Sequence, residues 1–204
     1  MNRIHWRTTA RLGEIQVKEF DLEQTADAWI FLDLDAALEA GSGDDSTTEV
    51  AVRAAASIAD KALGENRAVG LTVSGHRLTV LPADRGARQR LKILQLLAAV
   101  EADGRTPLDE ALLTSLGRLR RGMTAIIITP SADTSFIRPL AALKKRGIST
   151  VVVALDASAF EPSGNESELD LQRQRSRAVR HALAEYQIAT VVLGPHKPLA
   201  EAFA

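Results

Sequence analysis

Asp33 and Asp35 close an almost wholly apolar run, Ala28-Trp29-Ile30-Phe31-Leu32-Asp33-Leu34-Asp35-Ala36-Ala37. On an extended chain, side chains at i and i+2 share a face, so the two carboxylates can point together. Thr106 adds a hydroxyl at the predicted start of a helix. Carboxylate and hydroxyl oxygens are the ligands that hard divalent cations take, so Asp33, Asp35 and Thr106 form a candidate site for Mg²⁺ or Mn²⁺. The plainer alternative is that Thr106 is an N-cap and the Asp pair merely ends a strand.

A second group lies near the N-terminus: Arg3, His5, Trp6, Arg7, Thr9 and Arg11. Arginine forks suit carboxylate or phosphate, which makes this a candidate partner surface. The alternative is a packed edge, with Trp6 covering the sheet and the arginines paired with acids. His76, His181 and His196 are scattered without metal-ligand spacing among them.

The elements that must hold these residues follow from periodicity. An apolar run of strand length suits a strand covered on both faces, and ligands of open α/β sheets bind outside the carboxyl ends of such strands. Ahead of it, residues 12–22 alternate loosely, as an exposed or edge strand would. Ser46 and Glu49 make a capping box, and the helix it starts, lined by Val50, Ala54, Ala55, Ile58, Ala62 and Leu63, closes at Gly64. Residues 67–74 and 77–81 are predicted as strands paired antiparallel across Gly75-His76. Asp84 is predicted to cap a helix with the stripe Leu91, Leu94, Leu97 and Ala98. Thr106 as N-cap and Pro107 at the first position start another, with Asp109 and Glu110 in its first turn. Buried strands are predicted over 123–129, ending at Pro130-Ser131, over 149–155 and over 189–193. Helices are predicted over 134–146 and up to residue 186, the latter on Leu169, Leu171, Val179 and Leu183. Helices alternating with strands mean an α/β fold with a mainly parallel sheet, one short antiparallel edge strand and helices on both faces.

Composition sets the outer limits. The 204 residues suffice for one large domain. Folding at this size buries roughly 70% of the chain's surface, so no staples are needed. There is no cysteine, which excludes disulfides and thiolate metal sites. A formal net charge of -1 argues against broad nucleic-acid binding.

Two resemblances carry functional expectations. Four apolar residues followed by Asp33-Leu34-Asp35 resemble the first motif of haloacid-dehalogenase-like phosphatases, with Val73-Ser74-Gly75 similar to their second. That resemblance implies Asp33 as nucleophile and Asp35 as general acid-base about a Mg²⁺ ion. The usual Gly-Thr or Gly-Val after the motif is Ala36-Ala37 here, and no later strand ends in an acidic pair.

The longer signature is Arg3-Ile-His-Trp-Arg-Thr-Thr-Ala-Arg-Leu-Gly-Glu-Ile-Gln-Val-Lys-Glu-Phe. It closely resembles the domain-of-unknown-function family fifty-eight, bacterial proteins often encoded beside MoxR-type AAA+ ATPases. The resemblance implies a von Willebrand factor A-like, Rossmann-like domain over residues 28–204, preceded by a signature segment and edge strand over 1–27. It implies a metal-ion-dependent adhesion site in which Asp33 and Thr106 match, Asp35 replaces a serine, and Ala37 and Pro130 withdraw two ligands. It further implies a non-catalytic interaction module whose partner is a MoxR-type ATPase or its client. The contact region would be Asp33, Asp35, Thr106 and Ser131, with the basic N-terminal segment as a second surface. The resemblance also implies that full-length relatives usually carry transmembrane helices and more β structure before the signature. The chain is therefore expected to be a C-terminal portion, a cytoplasmic domain tethered to the inner face of the membrane.

Overall fold

The computed structural model describes residues 26–160 and 165–195. A six-stranded sheet forms the middle layer: β1 (Ala28–Asp33), β2 (Val69–Ser74), β3 (Leu78–Asp84), β4 (Thr124–Thr129), β5 (Ser149–Leu155) and β6 (Ala189–Leu193), in the order β3-β2-β1-β4-β5-β6. Only β3 runs antiparallel, against β2. This is the architecture that the von Willebrand resemblance implies. β1, β2 and β4 are buried at every residue, as continuous apolar runs require between two helical layers.

The helices are α1 (Thr47–Gly64), α2 (Gly86–Leu97), α3 (Leu108–Ser115), α4 (Ile137–Lys145), the short α5 (Ala157–Phe160) and α6 (Glu166–Glu185). The alternation of β1 divides the core. Ala28, Ile30 and Leu32 pack with α1 residues such as Ala54 and with Ile93 and Leu97 of α2. Trp29 and Phe31 pack with Leu112 of α3, Leu140 of α4 and Leu183 of α6. Trp29 lies flat over Gly70, where an added Cβ would sit 2.5 Å from the ring, and its Nε1–H donates to Thr72 Oγ1 at 2.9 Å.

Several local expectations are corrected. The inner row of α2 is Gln89, Ile93 and Leu97, whereas Leu91 and Leu94 are 56% and 42% exposed. Gln89 explains the difference: its Nε2 donates to the carbonyls of Val69 (2.7 Å) and Pro82 (2.8 Å), so a polar residue occupies the buried row. Asp84 ends β3 and accepts from Arg85 N instead of capping α2. Leu171 on α6 is likewise exposed, while Leu169, Val179 and Leu183 are buried. Ser46 does cap α1 by accepting from Glu49 N at 3.2 Å. The left-handed residue after α1 is Asn66 (φ 59), not Gly64.

Candidate functional site

β1 connects onward to β2 on one side of it and has β4 on the other, so the strand order reverses at the centre of the sheet. Crevices form at such switch points, outside the carboxyl ends of the strands. Asp33 sits there. The parallel register pairs Leu32 with Ile128, which places Thr129 beside Asp33, and pairs Asp33 with Ser74 on the other side.

Asp33 is 2% exposed. Its Oδ2 accepts from Thr129 Oγ1 at 2.6 Å, and its Oδ1 accepts from Asp35 N at 3.3 Å. Thr129 Oγ1 in turn accepts from Ser131 N at 2.9 Å, and Ser131 Oγ accepts from Asp133 N at 3.2 Å. Ser131 N, Thr129 Oγ1 and Asp33 Oδ2 thus form a donor chain from the loop after β4 into the carboxylate, one bond polarising the next, while the Asp133–Ser131 bond braces that loop. Burial pushes the Asp33 carboxyl up to about 6 from its ordinary 3.8; the hydrogen bonds from Thr129 and Asp35 N oppose the rise, and the Asp35 charge adds to it.

Asp35 does a different job. Its Oδ1 accepts from Ala37 N at 2.9 Å and caps the 3-10 turn Ala36–Leu38. Its backbone bridges to Gly104, whose N donates to Leu34 O (2.9 Å) and whose O accepts from Ala36 N (3.1 Å). Gly104 is wedged so tightly that a Cβ would overlap the carbonyl oxygens of Ser74 and Leu34. The loop before α3 is therefore stitched to the end of β1 by its backbone.

Thr106 is brought to the same end, but not as an N-cap. Pro107 occupies the cap position, with ψ 145, and α3 starts at Leu108. The carbonyl of Thr106 accepts from Ser74 Oγ at 2.7 Å, which fixes the residue outside the helix. Asp109 and Glu110 do lie in the first turn.

Ser131 reaches the site through its backbone and lines a small depression with Asp156, Ser176 and Arg180. Arg3, His5, Trp6, Arg7 and Arg11 lie outside the described residues. Thr129 and Gly104 escape a reading of the sequence, and Ser74 enters it only through the phosphatase-like motif. The end of β4 invites comparison at Pro130, yet the residue aligned with Asp33 is the one before it.

The donors fit a tightly held cation poorly. Both oxygens of Asp33 and one of Asp35 already accept hydrogen bonds, and Ala37 and Pro130 offer no side-chain oxygen. Mg²⁺ takes six oxygens, so water would supply most of the shell. Among the described residues no three acidic, histidine or cysteine side chains gather where they could hold a metal.

Comparison with known proteins agrees with the architecture. The model of the family described as "Protein of unknown function DUF58" matches residues 1–161. The uncharacterized proteins Mb1516 of Mycobacterium bovis and Rv1480 of Mycobacterium tuberculosis are each 28% identical over 166 residues, 79% of this chain and 52% of theirs. The chain thus spans about half the length of the curated relatives it matches. Among solved structures, the conserved hypothetical protein BatB from Bacteroides thetaiotaomicron is similar with a TM-score of 0.62 and 16% identity, over 87% of this chain and 93% of that one. The pilus adhesin SpaC from Lactobacillus rhamnosus GG gives 0.56 and 9%, over 87% of this chain and 30% of the adhesin. At such identities the likeness is one of fold.

Proposed function

The chain belongs to the DUF58 family of proteins of unknown function, and on that premise we propose that it is a non-catalytic interaction module. The docking surface is the crevice at the carboxyl ends of β1 and β4. The observation that carries this reading is the Ser131–Thr129–Asp33 chain. It turns the acidic residue of the crevice into a buried strut that shapes the loops around it. Ala37, Arg105, Pro107 and Asp133 form an exposed rim to which a partner has access.

The partner class, a MoxR-type AAA+ ATPase or a client presented to one, rests on the resemblance of the N-terminal signature. A pull-down with the tagged chain is the test. Capture of an ATPase by the wild type, lost in the exposed-rim variant Ala37→Arg, is the expected result. Capture that survives Ala37→Arg but disappears with Arg3, Arg7 and Arg11 changed to Gln moves the contact to the N-terminal segment, with His5 and Trp6 beside it. The same resemblance underlies a cytoplasmic location; among the described residues no helix is long and apolar enough to cross a membrane.

A cation held through Asp33, Asp35 and Thr106 would be weakly bound, with water completing its shell. Titration calorimetry with Mg²⁺ and Mn²⁺ decides this version, since Asp33→Ala must abolish any heat that the wild type gives. The phosphatase alternative needs an Asp33 oxygen free to attack phosphorus. Its burial and its two hydrogen bonds argue against that role. Turnover of a generic phosphate ester that is lost in Asp33→Asn would restore the enzyme reading.

A further inference from the structure

At the opposite end of the sheet, where the parallel strands begin, three loops converge. Gly122 N donates to Gly147 O at 3.0 Å and Ser149 N to Met123 O at 3.0 Å, joining the loop before β4 to the loop before β5. Arg146 Nη1 donates to Leu116 O at 3.0 Å, and the Arg121 side chain lies against Gly147. Lys144 Nζ donates to the carbonyls of Tyr186 (2.6 Å) and Gln187 (2.8 Å), drawing in the loop before β6.

The result is a dense cationic pole. Arg118, Arg120, Arg121, Lys145 and Arg146 are all exposed, and none forms an ion pair among the described residues. From residue 111 to 155 the lone carboxylate is Asp133, and it belongs to the loop after β4, at the other pole. Among the described residues, Asp27 at this end pairs with Arg85 and Glu65 with Arg67, each at 3.0 Å, while Asp84 accepts from Arg85 N at 2.8 Å. Lysine and arginine at the end of α4 complement the helix dipole, which explains Lys144 and Lys145. It does not explain Arg118, Arg120 and Arg121, which stand on the 3-10 turn Leu116–Arg118 and the loop after it.

We infer that this basic pole is a second docking surface and that it takes an acidic segment of a partner protein. Arginine dominates it, and two of the guanidinium groups are positioned by contacts with the neighbouring loop. Fixed planar forks match carboxylate pairs, whereas a lipid surface would be served equally well by mobile lysines. A nucleic acid binds through an extended run of phosphates and favours a strongly basic chain, whereas this one has a net charge of -1.

The test uses the full chain and a glutamate-rich peptide of about ten residues, titrated by calorimetry at about 50 mM salt and again at higher salt. Binding should weaken as salt rises. The triple variant Arg120→Gln, Arg121→Gln, Lys145→Gln should lose affinity about tenfold or more. The control Arg173→Gln, Arg175→Gln, Arg177→Gln on α6 removes the same charge elsewhere and should bind like the wild type. Absence of wild-type binding, or equal loss in both triples, overturns the proposal. Stronger binding to vesicles with about 30% phosphatidylserine, lost in the first triple alone, overturns it in favour of a membrane surface. A near-ultraviolet circular dichroism spectrum matching the wild type confirms that each triple is folded.

Discussion

The two ends of the sheet solve opposite electrostatic problems. At the carboxyl end, Asp33 is buried and every oxygen is held by a neutral donor. At the amino end, five exposed cations have no ion-pair partner among the described residues. β4, six residues long, separates them by about 20 Å, roughly two Debye lengths at cellular salt, so each end acts on its surroundings independently. The difference separates shape from attraction. A buried charge fastened by hydrogen bonds sets geometry and is tied to stability, whereas exposed charges are free to change with little effect on the fold.

That contrast can be broken most forcefully at Gly104. Gly104→Ala drives a methyl group into two carbonyl oxygens, and chemical denaturation should show a loss of about 4 kcal/mol. Next comes pH. The folded carboxyl of Asp33 titrates near 6, above its ordinary 3.8, so folding favours the protonated form. Its contribution is therefore fully present below about 3.8 and is lost as pH rises through about 6, a span worth about 3 kcal/mol. In Asp33→Asn that fall should vanish, and the difference between the two stability–pH curves measures it. Thr129→Val removes the hydroxyl donor from Asp33 Oδ2 and should cost about 2 kcal/mol, with the Asp33 pKa moving further up by NMR titration. At the other end, Arg120→Gln with Arg121→Gln should change stability by less than about 0.5 kcal/mol. A large loss there would mean that the basic loops are structural, and the contrast would fail.

The strands were legible because fully buried parallel strands leave continuous apolar runs, and each carries one: Ala28–Asp33, Val69–Ser74, Thr124–Thr129. Asp33 was legible as a site residue for the same reason, being the first charge after such a run. What stayed hidden depends on partners distant in sequence. Gln89 reads as a surface residue until Val69 and Pro82 present their carbonyls to it. Thr106 reads as a cap until Ser74 takes its carbonyl. Thr129 becomes Asp33's partner only through the register of two strands 96 residues apart. The basic pole exists only because the loops before β4 and β5 touch, which no single segment of the sequence shows.

Trp29 has a practical consequence. It is 2% exposed, its ring covers Gly70, and its indole N–H is held by Thr72. The chain has one other tryptophan, Trp6. A Trp6→Phe variant would leave a single indole emitter at the centre of the sheet, shielded from water when folded and exposed when unfolded. Its emission should shift to the red on denaturation. The chain then contains its own optical gauge, on the central strand and touched by none of the substitutions above.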